Sequence, residues 1–377
     1  MKKKIVFAYS GGIDSTAGIT WLKENQDCEI IAVCVDVGQA ADWKAIQKRA
    51  SAAGAGTCYI ADVKKEYVEG YIWPALKAGA MYEEKHLLGA SIAKPLIVKV
   101  LAEYARKEKA AAIAHGSKAN DQLDFCIKAL APELETIAPW RIWKLKSRED
   151  AVRYLTRRKI PIHAKKKNSY RTEKTLWQVS HKGLELENPS TEPMYKKILT
   201  MTVTPEKAPN KPVYIDIDFE KGIPSALNGK KMEGLALISQ LNKIGGAYGI
   251  GISDLVESIS GANKIRSVYE APGAGILYYA QKELEHLCLD KASFSFKQRI
   301  SIKFSELIYD GFWFTPLFKA LCAFVDSTQQ TVNGKVKLKL YKGSISTAGT
   351  SSPNSLYKTD IAANEKKVIS KKTKVKK

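Results

Sequence analysis

The stretch Ile5-Val6-Phe7-Ala8-Tyr9-Ser10-Gly11-Gly12-Ile13-Asp14-Ser15-Thr16 decides the fold of this chain. Its apolar start predicts a buried strand, and the run from Asp14 to Leu22 predicts a helix. The small turn between them directs backbone N–H groups and a helix N-terminus at one place, which suits a phosphate group. A Cβ on either glycine would obstruct that approach. The stretch therefore predicts a phosphate-binding loop, although a glycine turn by itself is also compatible with a purely steric joint.

Length and composition predict a globular protein of two domains. The chain has 377 residues, of which 45% are apolar and 26% are charged. No apolar run is long enough to span a bilayer, so no membrane partner is expected. The start Met1-Lys2-Lys3-Lys4 resembles a signal peptide, but the apolar run after it is short and leads straight into the glycine turn. This segment is therefore predicted to be the first strand.

The cysteines indicate a reducing compartment. They are Cys28, Cys34, Cys58, Cys126, Cys288 and Cys322. They form no Cys-x-x-Cys pair and have no histidine at metal-ligand spacing, so we expect free thiols in the cytoplasm. For Cys126 a catalytic persulfide stays open as an alternative to an ordinary core residue.

Positive charge is the main peculiarity of the composition. The net charge is +21, and much of it is clustered at residues 165–167 and in the lysine-rich end. A basic chain invites a nucleic-acid partner, which makes RNA a candidate. The end of the chain lacks aromatic residues and apolar periodicity, so residues 361–377 are predicted to form a disordered basic tail. A solvated tail is favoured over a dedicated RNA-binding device.

Strand and helix patterns alternate through the first part of the chain. Strands are predicted at residues 28–36, 57–60 and 110–115, and helices at residues 42–53, 91–105 and 149–157, with a further helix starting at Asn120. This alternation predicts an α/β fold with a doubly wound parallel sheet, which binds ligands at the carboxyl ends of its strands. Ser10-Gly11-Gly12 and His115-Gly116 both lie at such ends.

The pattern changes between residues 161 and 175, where proline, lysine and polar residues collect. Residues 1–165 are therefore predicted to form the first domain and residues 166–360 a second, α+β domain. Strict alternation at residues 213–219 predicts a half-buried antiparallel strand, and the glycines of residues 245–251 predict a mobile loop. Helices are expected at residues 274–287, 298–309 and 316–327, and a hairpin at residues 336–341 and 344–346.

The motifs along the chain resemble those of one enzyme family. The string Ser10-Gly11-Gly12-Ile13-Asp14-Ser15 is similar to the pyrophosphate (PP) loop of ATP pyrophosphatases, which implies a HUP-type ATP-binding domain. From Lys4 to about Ala363 the chain resembles argininosuccinate synthase. The matching strings are Ala8 to Ser15, Asp36-Val37-Gly38-Gln39, Leu88-Gly89-Ala90-Ser91-Ile92-Ala93-Lys94-Pro95, His115-Gly116, Asn120-Asp121-Gln122, Ile137-Ala138-Pro139-Trp140-Arg141, Gly249-Ile250-Gly251, Val268-Tyr269-Glu270-Ala271-Pro272, Tyr341-Lys342-Gly343 and Ser352-Pro353-Asn354-Ser355-Leu356-Tyr357.

The resemblance implies an ATP-dependent C–N ligase of arginine biosynthesis. In that reaction the ureido oxygen of citrulline attacks the α-phosphate of MgATP, pyrophosphate leaves, and the amine of aspartate then displaces AMP. Catalysis rests on positioning and on charge stabilisation of the phosphates, which share the Mg²⁺. The chain itself is expected to supply no metal ligand. The resemblance also implies a homotetramer, and residues 166–360 would be its synthetase and multimerisation domain.

The resemblance assigns site residues by position. Catalytic roles fall on Ser10, Asp14, Ser15 and Asp121. Contacts with ATP fall on Ala8, Tyr9, Ser10, Gly11, Gly12, Ile13, Asp14, Ser15, Thr16, Val35 and Gly116. Substrate contacts fall on Ser91, Asn120, Asp121, Asp124, Arg171, Ser180, Glu257 and Tyr269. Asp14 has the alternative role of capping the helix that follows it.

Departures from the family pattern concentrate on the amino-acid sites. They are His86 in place of a citrulline-contacting tyrosine, Ala90, Lys94, a shortened loop at residues 117–119, Asp124 in place of an arginine, and Arg171 in place of a serine. Asp124 would repel an α-carboxylate, and Arg171 could restore the cation from across the pocket; unrelated surface changes are the alternative. A second hypothesis therefore keeps the AMP activation but uses another ureido, amide or nucleobase acceptor, including one in RNA.

Overall fold

A parallel sheet of five described strands, in the order β3-β2-β1-β4-β5, carries the first part of the chain. The strands are β1 (Lys3–Ala8), β2 (Cys28–Asp36), β3 (Thr57–Asp62), β4 (Ala112–Ala114) and β5 (Glu135–Ile137). The order reverses direction beside β1, so the carboxyl ends of β1 and β4 flank the point at which such folds bind ligands. The computed structural model describes residues 2–117, 122–145, 147–162, 170–260 and 263–358.

Side chains alternate between the two faces of the sheet along each strand, and apolar residues on both faces explain why helices cover both. In β1, Val6 packs into one core, whereas Ile5 and Phe7 pack into another. The helices of this part are α1 (Ile13–Asn25), α2 (Trp43–Ala52), α3 (Lys64–Glu66), α4 (Trp73–Ala78), α5 (Gly89–Lys107), α6 (Gln122–Leu130), α7 (Pro139–Ile142) and α8 (Arg148–Arg157), with a π-helix at Tyr67–Ile72. Helices α1 and α2 contribute to the core of Ile5, and α5 contributes to the core of Val6. The predicted doubly wound α/β class is confirmed.

Antiparallel sheets build the second part of the chain. Their strand orders are β11-β12-β7-β6 and β10-β9-β8-β13-β14. The strands are β6 (Arg171–Lys174), β7 (Val179–Lys182), β8 (Val213–Glu220), β9 (Ile223–Leu227), β10 (Lys230–Lys231), β11 (Ile252–Ser260), β12 (Asn263–Glu270), β13 (Gly334–Tyr341) and β14 (Ser344–Ser351). The helices are α9 (Tyr195–Ile198), α10 (Gly234–Ala247), α11 (Pro272–Cys288), α12 (Lys291–Tyr309) and α13 (Pro316–Gln329), with 3₁₀ turns at Leu184–Glu187 and Pro205–Lys207.

One apolar core runs through both parts and sets the second part against α5. It contains Ile92 and Leu96 of α5 together with Phe304 of α12. Polar contacts fix the same junction: the indole of Trp177 donates to the carbonyl of Leu87 (3.1 Å), and the N–H of Gly89 donates to Gln178 Oε1 (2.8 Å). The start of α5 therefore lies beside β7. None of the helices in the described ranges has the length and apolarity needed to cross a membrane.

The prediction of a mobile loop at residues 245–251 is wrong for its first glycines. Gly245 and Gly246 lie in the last turn of α10 instead of a mobile loop. A Cβ on Gly246 would lie 2.2 Å from the carbonyl oxygen of Met201, and one on Gly245 would lie 2.9 Å from Ile276. These glycines serve close packing of a helix against its neighbours, which a sequence pattern cannot distinguish from loop chemistry.

Candidate active site

The predicted phosphate loop is a hydroxyl-lined turn between β1 and α1. The Gly12 N–H donates to Ser10 Oγ (3.3 Å), and the hydroxyls of Ser10 and Ser15 lie 3.1 Å apart. Ser15 also donates to the Gly12 carbonyl (3.1 Å). Gly12 is the exposed N-cap of α1 and carries no side-chain cap, so the helix N-terminus is open to an anion.

Gly11 allows the loop to pack against α2. Its φ is +73°, and a Cβ built on it would lie 2.7 Å from Ile46 Cγ1. The guanidinium of Arg49, also on α2, donates to the Gly11 carbonyl. The turn is therefore held by α2 from behind, while its other side stays open.

Asp14 does not cap α1, because Gly12 occupies the N-cap position. Its Oδ1 atom is buried and has no hydrogen-bond partner in the described chain. A buried carboxylate oxygen without a partner is costly, so this atom is available to a group outside the described residues, such as a bound ligand. Beside an open helix N-terminus, this atom fits the surroundings of a metal-bearing phosphate.

Tyr9 and Thr16 direct their side chains into the core. Their hydroxyl groups lie 3.1 Å apart, and Thr16 also donates to the Gly12 carbonyl (2.7 Å). Burial raises the pKa of Tyr9 to about 12, although its contact with Thr16 and the charge of Arg49 oppose the rise. Any contact of these two residues with ATP would therefore come from their backbone.

The sheet order brings the other predicted ATP contacts to the same edge. A Cβ on Gly116, just beyond β4, would lie 3.8 Å from Ser15 Cα. Val35 is buried near the end of β2, where its carbonyl accepts from Gln39 Nε2 (2.8 Å). Strands β1, β2 and β4 thus bring together residues that are far apart in sequence.

Asp124 is paired within the first part of the chain. Arg141 donates to both of its oxygens (2.6 and 3.3 Å), and His115 Nε2 lies 3.1 Å from Oδ1. Arg171 lies exposed on β6, with Glu187 at 3.9 Å. The two residues of the hypothesised charge exchange therefore have different partners in the described chain, and the negative charge of Asp124 is compensated by Arg141.

The predicted contacts Glu257 and Tyr269 meet in one buried cluster with His86. Glu257 Oε2 lies 3.0 Å from His86 Nδ1, and Oε1 accepts from Ser267 (3.0 Å) and from the hydroxyl of Tyr269. Burial works to raise the pKa of Glu257, but hydrogen bonds from His86 and Tyr269 outweigh it and the pKa is lowered. Glu257 is therefore ionised near neutral pH. Ser180 on β7 stands opposite Tyr269 in the strand register.

Gln122 joins this cluster to the start of α5. Its Nε2 donates to Ser91 Oγ (3.1 Å) and to the carbonyl of Tyr309, whose ring meets His86 edge to face at 6.0 Å. Gln122 follows Asn120 and Asp121, which lie outside the described residues, so their predicted roles stay predictions.

Sequence reasoning missed the residue that anchors β12. Glu270 is fully buried and accepts hydrogen bonds from His181 Nε2 (2.8 Å) and from the backbone N–H groups of residues 200–202. It directly follows Tyr269, and His181 directly follows Ser180. Nothing in the local pattern of β12 signals these partners, because they come from two distant segments.

Family comparisons cover nearly the whole chain. Residues 4–161 match the Arginosuccinate synthase N-terminal HUP domain, and residues 170–376 match the Arginosuccinate synthase C-terminal domain. The chain belongs to the argininosuccinate synthase family. The chain is 54% identical over 366 residues to the argininosuccinate synthase of Caldicellulosiruptor saccharolyticus, with 96% of this chain and 90% of the relative covered. It is 52% identical over 363 residues to that of Desulforamulus reducens, at 95% and 90% coverage.

Membership in the argininosuccinate synthase family confirms several predictions made from the sequence. The predicted family and fold class hold, and the chain is an ATP-dependent ligase that uses ATP with Mg²⁺. No group of three or more His, Cys, Asp or Glu gathers as a metal site in the ranges that the structure describes.

Proposed function

We propose that this chain condenses L-citrulline with L-aspartate through a citrullyl-AMP intermediate, releasing AMP and pyrophosphate, as in arginine biosynthesis. The observation that carries the proposal is an intact phosphate loop in a chain that matches the argininosuccinate synthase domains over residues 4–161 and 170–376. The reaction needs no covalent nucleophile on the protein, because ATP itself activates the ureido oxygen. The protein contributes orientation and charge stabilisation.

The loop would hold the β- and γ-phosphates of ATP. The exposed N-terminus of α1 at Gly12 offers backbone N–H groups, and the hydroxyls of Ser10 and Ser15 can turn towards phosphate oxygens. Bound Mg²⁺ neutralises phosphate charge in the transition state and would be held chiefly by the phosphates themselves. Asp14 Oδ1, a buried oxygen with no hydrogen-bond partner in the described chain, would help to hold the hydrated ion. These residues would stabilise pyrophosphate as it leaves.

The amino-acid substrates would bind on the β7 and β12 side of the loop. Ser91, Ser180 and Tyr269 are buried there around the cluster of Glu257. Asn120 and Asp121 are proposed to hold aspartate and the ureido group, as the resemblance implies. In the sequence they stand between Gly116, which approaches Ser15, and Gln122, which donates to Ser91.

A second candidate function keeps AMP formation and changes the acceptor. One observation favours it: the guanidinium of Arg141 donates to both carboxylate oxygens of Asp124. Arg141 is therefore already engaged and is not available to a substrate carboxylate. An acceptor without that carboxylate, such as an amide or a nucleobase in RNA, would suit this arrangement. RNA is the less favoured partner. If RNA is the substrate, its binding should weaken steeply with added salt and with deletion of residues 364–377.

The proposal includes the domain limits of the chain, its assembly and its location in the cell. We propose an ATP-binding domain at residues 1–165, a synthetase and multimerisation domain at residues 166–360, and a basic tail at residues 361–377. The last of these lies outside the described residues. Homotetramers are the proposed assembly. A cytoplasmic location is supported by the six cysteines, all of which are free thiols in the structure.

Pyrophosphate release tests the proposed function. Purified protein with MgATP is assayed with citrulline and aspartate together, and then with each omitted in turn. Release that requires citrulline is expected, and it should be lost in Ser10→Ala but kept in Ser51→Ala, a matched change on the exposed surface of α2. Release with another acceptor, and none with the citrulline–aspartate pair, would replace the proposal by the second candidate.

A further inference from the structure

The peptide that joins Gly11 to Gly12 lies at the centre of the phosphate loop. No peptide bond in the described part of the chain is cis, so the Gly11 carbonyl and the Gly12 N–H point in opposite directions from this planar unit. Glycine on both sides leaves the unit freer to rotate than a peptide flanked by larger residues. A group outside the two glycines is therefore needed to fix which end faces a bound phosphate.

Arg49 of α2 fixes the carbonyl end of this peptide. Its guanidinium donates to the Gly11 carbonyl, and Ile46 packs behind the same glycine, with Cγ1 2.7 Å from the position of a Cβ. Because α2 lies behind the loop, the Gly12 N–H is turned to the open side, where its hydrogen bond to Ser10 Oγ is long at 3.3 Å. This N–H can therefore also reach a phosphate oxygen.

Both glycine carbonyls of the loop are occupied by donors of the protein. The Gly12 carbonyl accepts from the hydroxyls of Thr16 (2.7 Å) and Ser15 (3.1 Å). A free carbonyl oxygen would repel a phosphate, so a loop that presents N–H groups to an anion needs its carbonyls bound elsewhere. Of these donors, Arg49 alone comes from a different element, which makes the orientation of the Gly11 carbonyl depend on α2.

The charge of Arg49 remains available to the loop. The guanidinium is half-buried and forms no salt bridge within the ranges that the structure describes. It is protonated at any physiological pH. Its charge acts on the loop, because it works to lower the pKa of Tyr9, although burial prevails and raises that pKa to about 12. A half-buried cation without a carboxylate partner attracts a polyanion such as pyrophosphate.

We propose that Arg49 is a positioning residue for the cleavage of ATP. Its guanidinium holds the Gly11 carbonyl at the back of the loop, which presents the Gly12 N–H to the β- and γ-phosphates. Its charge adds to the positive potential at the N-terminus of α1 and stabilises pyrophosphate as it leaves. The inference rests on the phosphate contacts in the proposed function, and it adds a residue that lies outside the string from Ser10 to Ser15.

Binding of pyrophosphate and of AMP to the purified full-length protein tests this role. Pyrophosphate with Mg²⁺ is expected to occupy the loop, whereas AMP carries only the adenosine and the α-phosphate. Arg49→Met keeps the aliphatic stem and removes the donors and the charge. By isothermal titration calorimetry its Kd for pyrophosphate should rise at least about tenfold, and its Kd for AMP less than about twofold. Arg299→Met, the same change at an exposed position of α12, should leave both constants unaltered.

A second variant separates positioning from general support of the fold. Arg49→Ala should show the same selective loss, and added ethylguanidinium should recover part of its pyrophosphate binding, because this ion can again donate to the Gly11 carbonyl. Ethylammonium carries the charge without the planar fork of donors and should recover less. A dissociation constant does not depend on the fraction of folded protein, so poor folding would not mimic the result.

The outcomes distinguish this inference from the proposed function. Wild-type protein that binds no pyrophosphate would overturn the inference together with the role of the loop. Wild-type protein that binds pyrophosphate through Arg49 but releases none with citrulline and aspartate would overturn the proposed substrates alone. An active wild type whose Arg49→Met variant keeps its affinity for pyrophosphate, or loses AMP equally, would overturn the inference alone. A larger loss for pyrophosphate than for AMP supports it.

Discussion

Replacement of Glu270 by glutamine should destabilise the protein strongly, because this carboxylate is the acceptor for several buried donors. Oε2 accepts from the N–H groups of Thr200 (3.0 Å), Met201 (2.7 Å) and Thr202 (2.8 Å). Oε1 accepts from His181 Nε2 (2.8 Å) and from both the N–H and the hydroxyl of Thr200. A glutamine of the same shape must turn its NH₂ group towards one of these two sets of donors.

The size of the effect follows from the hydrogen bonds that would be lost. A hydrogen bond to a charged group contributes about 1.5–3 kcal/mol, and a buried donor left without a partner adds to the cost. Loss of two such bonds predicts that Glu270→Gln lowers the free energy of unfolding by about 3–6 kcal/mol. Whole proteins are stable by only about 5–15 kcal/mol, so this would be a large share.

Urea unfolding followed by tryptophan fluorescence measures this change. With a slope of about 1–3 kcal/mol per M, the midpoint should fall by at least about 1 M. Glu220→Gln provides the matched control, since Glu220 is exposed at the end of β8 and its midpoint should not move. A Glu270→Gln midpoint that shifts no more than this control would refute the reasoning.

The same carboxylate predicts a pH dependence of stability. Burial works to raise the pKa of Glu270, but His181 and the N–H groups of Thr200 and Met201 outweigh it and lower the pKa. An acid whose pKa is depressed by folding contributes stability above its unfolded value of about 4.3. That contribution is lost as the pH falls through the lower folded pKa. Wild type should therefore lose more stability than Glu270→Gln below about pH 4, as measured by unfolding at a series of pH values.

Two other substitutions give sharp expectations. Gly11→Ala places a Cβ against Ile46 at a φ of +73°, so it should lower the free energy of unfolding by about 1–3 kcal/mol. It should also raise the KM for ATP and leave the KM for citrulline unchanged. An unchanged KM for ATP would contradict the role of the loop. Lys297→Met removes the ammonium group that lies 2.9 Å from the buried carboxylate of Glu285. Urea unfolding should therefore show that the free energy of unfolding falls by about 3 kcal/mol or more. Adding Glu285→Gln should recover part of this loss, because it removes the unpaired buried charge.

Local chemistry alone determined the nucleotide half of the site. The strand, the glycine turn and the helix from Ile5 to Leu22 are contiguous, so apolar runs and the conformational freedom of Gly11 were sufficient to predict a phosphate loop. Alternating strands and helices likewise predicted the parallel sheet and the edge at which Gly116 approaches Ser15. These features depend on neighbours in the chain and on general rules of parallel sheets.

Only the tertiary structure decided the acceptor half. His86 and Glu257 are 171 residues apart, and their pairing depends on β11, β12 and the start of α5 meeting across the common core. The partner of Asp124 cannot be predicted from its segment, because nothing there shows that Arg141 reaches it with two hydrogen bonds. Partners of buried charges are chosen by packing, since desolvation makes each such group depend on whichever distant segment the fold brings beside it.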